Sequence, residues 1–83
     1  MEYLKHEEIC YCTLFDIKLS QDELEVFESC MRFVKEHCNQ EEIYKLTGCT
    51  EDEFCEGHSE LRELIIKYVR SEILPDRYNE NNG

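Results

Sequence analysis

The chain reads as a mainly α fold: an N-terminal β-strand, or a hairpin, followed by three helices. Three observations predict it. Residues 9–19, ICYCTLFDIKL, alternate with a period of two. Two later stretches carry apolar residues at steps of three and four. Each helical stretch is preceded by a capping residue with Glu three positions on: SQDE, NQEE and TEDE. Strands place alternate side chains on opposite faces, whereas helices return to one face every three or four residues.

In the first segment, Ile9, Tyr11, Thr13, Phe15, Ile17 and Leu19 fall on one face. β-branched and aromatic residues dominate that face, which favours a strand. Its backbone groups need partners. Met1 to Lys5 can fold back as a second strand. Otherwise the strand at residues 9–18 pairs with the same strand of another copy and makes a homodimer.

Ser20 opens the first helix, with Glu23 at the capping-box position. Leu24, Phe27, Met31, Val34 and Cys38 follow at helical steps, and Val26, Cys30, Phe33 and His37 form a second row. The predicted helix spans residues 21–38. Asn39 with Glu42 starts a short helix carrying Ile43 and Leu46, and Gly48 suits the left-handed residue that ends it. Thr50 with Glu53 starts the last helix, where Phe54, His58, Leu61, Ile65 and Tyr68 form a stripe flanked by Leu64 and Val69. Arg62, Lys67 and Arg70 lie toward its C-terminal half, as the helix dipole favours. Gly57 inside it costs about 1 kcal/mol against Ala. The two long stripes should cover each other, with Phe27, Met31 and Val34 against Phe54, Leu61, Ile65 and Tyr68. Pro75 marks the end of the domain, so residues 1–75 form one small domain and residues 76–83 a flexible polar tail.

Charge limits the function more than fold does. Twenty acids against nine bases give a formal net charge of −11. Direct DNA or RNA binding rests on neutralising phosphates with Lys and Arg, so it is not expected, and neither is an anionic membrane. A basic protein surface is the natural partner. MEYLKHEEICYC has no continuous apolar region of the signal-peptide kind, so the expected location is the cytoplasm, with the six cysteines reduced.

No catalytic constellation emerges: there is no Gly-rich phosphate loop and no Ser nucleophile in an elbow context. Cys55 and His58 have a pairing distance but no third orienting group. Cys10-x-Cys12, His37-Cys38, Cys49 and Cys55-x-x-His58 lack the two tight ligand pairs that mark structural zinc. No catalytic residue, metal ligand or cofactor is therefore expected.

EEIYKLTGCTEDEF, within residues 40–64, resembles a helix-turn-helix: a first helix, a glycine-containing turn and the entry of a second helix. The second helix departs from that family. Asp52, Glu56, Glu60 and Glu63 share one face, where DNA readers of this kind carry Arg, Lys, Asn or Gln. Arg62 is the only Lys or Arg among the Asp and Glu residues from 51 to 63. In type, a short, helical, carboxylate-rich chain resembles the small acidic inhibitors encoded by bacteriophages. That resemblance implies a non-enzymatic protein-binding module, phage- or mobile-element-encoded, that blocks a basic surface of a host nucleic-acid-handling protein. Asp52, Glu56, Glu60 and Glu63 are its expected contact residues. The alternatives are a degenerate helix-turn-helix regulator acting as a dimer through protein contacts, and a zinc-stabilised structural module.

Overall fold

A computed structural model describes residues 1–78. Its order is β1 (Glu2–Ile9), β2 (Cys12–Lys18), α1 (Gln21–His37), α2 (Gln40–Thr47) and α3 (Glu51–Tyr68), then two 3₁₀ turns at Ser71–Ile73 and Asp76–Tyr78. The fold is thus mainly helical, with an N-terminal antiparallel hairpin.

The hairpin corrects the boundaries expected for the strand. Cys10 and Tyr11 form its turn, with φ of 52° and 67°. Two successive left-handed residues match the right-handed twist of the flanking strands. Asn and Gly usually fill such positions, and here neither does, so the sequence alternation runs straight through the turn. Ile9 closes β1 opposite Cys12, and Tyr11 is fully exposed. Of the six residues expected on one strand face, Thr13, Phe15 and Ile17 share one. β2 therefore finds a partner within the chain. The register slips between Tyr3 and Lys5, leaving Leu4 as a bulge.

The three cap signals are all realised. Ser20, Asn39 and Thr50 each accept from the backbone N–H three residues on, and Glu23, Glu42 and Glu53 each accept from the cap's own N–H. Each box satisfies two backbone donors that a helix N-terminus leaves unpaired. Gly48 ends α2 at φ 77° and ψ 2°, where a Cβ is disfavoured.

The core is small. Ile43, Phe54, Ile65 and Tyr78 are its buried apolar side chains, joined by Glu25, Glu28 and His58. α1 packs on α3, and α2 closes one end against α3. The expected stripe-to-stripe core is half right. Phe54 and Ile65 are buried, and Leu61, Met31 and Val34 lie at its edge. Phe27 is 44% exposed and Tyr68 69% exposed. α1 is rotated so that Gln21, Glu25, Glu28 and Arg32 face inward, and Val26, Cys30 and Phe33 face solvent. The end of the chain is also corrected. Tyr78 is only 2% exposed, so Asp76–Tyr78 belongs to the domain rather than to a tail. Residues 79–83 of the expected tail lie outside the described residues.

Candidate functional site

Asp52, Glu56, Glu60 and Glu63 are all exposed on α3. At 100° per residue their mean direction lies about half a turn from that of Phe54, His58, Leu61 and Ile65. The core face and the carboxylate face thus occupy opposite sides of one helix. None of the four is ion-paired to another described residue. Placing like charges one helical turn apart destabilises the helix by a few tenths of a kcal/mol per pair. The stripe is therefore a surface that the fold tolerates and does not need.

A second cluster went unforeseen. Glu28, in the middle of α1, is fully buried. Its Oε1 accepts from an Arg32 guanidinium nitrogen at 2.7 Å and from the Tyr78 hydroxyl at 2.6 Å. Its Oε2 accepts from Arg32 Nε at 3.3 Å and pairs with His58 Nε2 at 2.7 Å. Burial alone pushes the Glu28 carboxyl up, but the bonds from Arg32, Tyr78 and His58 outweigh it and bring the pKa down to about 2. An ionised carboxylate only accepts, so His58 must carry its proton on Nε2. Tyr78 is shifted upward, first by burial and then by Glu28, and stays a donor.

The surroundings hold this cluster in place. Arg62 and Arg77 lie over the Tyr78 ring at 5.3 and 5.0 Å from its centroid. Arg77 also reaches Glu25 at 3.5 Å. Beside them opens a cavity of about 340 Å³ lined by Arg32, Lys35, Glu36, His58, Arg62 and Arg77. Glu28 already uses four acceptor positions and has no proton to give near neutral pH, so the arrangement is built to join α1, α3 and the C-terminal turn. A histidine inside an apolar stripe is the signal that could have found it, because a buried imidazole must have a partner.

Among families of known proteins, curated proteins and solved structures, nothing matches this chain. The site is thus read from its own geometry.

The cysteines do not extend it. All six are free thiols: Cys10 and Cys12 sit on the hairpin, Cys30 and Cys38 on or beside α1, and Cys49 and Cys55 around the start of α3. Among the described residues, no three of His, Cys, Asp or Glu come together as a metal would need. His58, half of the Cys55-x-x-His58 pair, is turned into the core toward Glu28. No helix among the described residues is long and apolar enough to cross a membrane.

Proposed function

We propose that the protein is a small acidic binding module, without catalysis, that occupies a basic surface on a nucleic-acid-handling protein and blocks it. The exposed, one-signed face of α3 carries this reading: Asp52, Glu56, Glu60 and Glu63 stand opposite the core, with no ion pair among the described residues. In a chain of net charge −11, such a face attracts a basic partner over distance and repels phosphate. Charge complementarity of this kind acts first on the rate of encounter. A mobile-element or phage inhibitor is the setting that fits these properties.

The fourfold variant Asp52→Asn, Glu56→Gln, Glu60→Gln, Glu63→Gln tests it. The four side chains are exposed and nearly isosteric with their replacements, so folding should be unchanged by circular dichroism. The wild-type chain should capture basic nucleic-acid-handling proteins from a bacterial lysate at low salt and release them as salt rises. Exposed charges act over only about 8 Å at physiological ionic strength. The variant should capture them weakly and associate more slowly, and neither chain should shift DNA in a gel. Capture of the same proteins by both chains at all salt concentrations would make the stripe a solvated face.

A further inference from the structure

We propose that the cavity between α1, α3 and the C-terminal turn is an anion site for a small phosphate monoester, whose phosphoryl group is held by Arg32, Lys35, Arg62 and Arg77. The distribution of bases is the first observation. Acids outnumber Lys and Arg by twenty to nine in this chain. Yet four of the nine bases, three of them arginines, line this one space of about 340 Å³. Among the described residues, Glu36 is the only carboxylate in its lining. Helical spacing gathers the group. Arg32, Lys35 and Glu36 lie three and four residues apart on α1, and Arg62 follows His58 by four on α3, so each set shares one helix face. Arg77 arrives from the turn at Asp76–Tyr78.

The Glu28 network holds these bases in position. Arg32 gives Glu28 two N–H groups, at 2.7 and 3.3 Å. A guanidinium has five, so three remain for other acceptors. Arg62 and Arg77 lie over the ring of Tyr78, which is itself bonded to Glu28. Groups ordered before a ligand arrives leave less entropy for binding to overcome. The neighbouring acids moderate the repulsion among the bases without reversing its sign. With His58 neutral, the four bases set against Glu25, Glu28 and Glu36 leave a local net charge of +1, in a chain of −11.

Shape and range of charge select the ligand. A phosphoryl group offers three strong acceptor oxygens, whereas a carboxylate offers two in one plane. Bases from three separate segments can serve the first from several sides, and guanidinium forks match its geometry. The volume is at the lower end for small-molecule pockets, so it admits a small ester and not a nucleic-acid strand. The overall charge repels a polyanion lying along the surface. A small anion inside the cavity responds mainly to groups within about 8 Å at physiological ionic strength. Asp52, Glu56, Glu60 and Glu63 occupy the other side of α3.

The site uses none of the α3 stripe residues, so this inference and the proposed function can fail separately. Calorimetric titration of the full chain with glycerol 3-phosphate, at constant ionic strength, should show one site per chain with millimolar affinity or better. Inorganic phosphate should bind the same site, and succinate more weakly. Lys35 and Glu36 are exposed on α1, so their variants should keep the helical circular dichroism. Lys35→Gln should weaken binding about tenfold, as expected for loss of a charge-assisted hydrogen bond, and Lys35→Arg should retain it. Glu36→Gln should tighten binding, because it removes a carboxylate from the lining. Three outcomes would overturn the inference: no binding at tens of millimolar ester, tighter binding of succinate than of glycerol 3-phosphate, or affinity unmoved by both Lys35→Gln and Glu36→Gln. Binding of a phosphoserine peptide without glycerol 3-phosphate would overturn it too, and make the occupant a modified protein.

Discussion

Glu28 shows how one side chain can decide a packing arrangement. It is a carboxylate with no exposure, held by Arg32 from its own helix, His58 from α3 and Tyr78 from beyond Pro75. Removing one partner of a buried charge pair is severe because the other charge stays behind. Glu28→Gln should therefore destabilise the chain by about 3 kcal/mol in urea unfolding, and a loss below about 1 kcal/mol would deny the network its structural role. The pH dependence follows from the same bonds. The folded pKa of about 2 lies below the ordinary value of 4.5. The unfolded chain therefore binds a proton first as pH falls. The stabilisation is complete above pH 4.5 and is lost between there and about 2, amounting to a few kcal/mol. Other carboxylates titrate in this window, so the measured quantity is the difference between wild type and Glu28→Gln. That difference should shrink toward acid.

Among the elements, α3 carries the most separate demands. Its N-terminus is boxed by Thr50 and Glu53, one side builds the core and the other carries the carboxylates. Gly57 sits between its two halves. A Cβ added there meets nothing within 4 Å, and the helix stays continuous from Glu51 to Tyr68. Nothing in the packing requires a glycine. Gly57→Ala should raise stability by about 0.5–1 kcal/mol through helix propensity alone, read as a shift in the thermal midpoint. A loss would mean that a bend at Gly57 is used. The hairpin is the opposite case. Cys10 and Tyr11 hold left-handed conformations that cost L-residues about 1–2 kcal/mol each, and every residue of the two strands they connect is exposed.

At the scale of the molecule, the domain closes through its C-terminal turn. Tyr78 is buried against Glu28, 50 residues away in sequence, with Arg62 and Arg77 over its ring. A chain ending at Pro75 keeps every regular helix and strand. It should nonetheless lose about 3 kcal/mol, from the buried ring and the hydrogen bond to a charged acceptor. Urea unfolding of the truncated chain checks this, and unchanged stability would return residues 76–78 to the role of a tail. At the other terminus the hairpin stands with both faces exposed.

The sequence by itself determined the helices, their starts and the carboxylate face. A capping box is an interaction over three residues, and helical periodicity puts Asp52, Glu56, Glu60 and Glu63 on one side wherever the helix packs. The hairpin was only half legible, because its turn is made by Cys10 and Tyr11, which read as strand residues. Which side of α1 faces inward was legible only in part: Met31 and Val34 reach the edge of the core, and Phe27 does not. Apolar residues occupy one broad side of that helix, so hydrophobicity alone pointed Phe27, Met31 and Val34 into the core. The tertiary structure chose the side of Glu25, Glu28 and Arg32 instead. Glu28 can be buried only if His58 and Tyr78, 30 and 50 residues away, arrive together to saturate it. That condition belongs to the folded chain as a whole, and no local pattern encodes it.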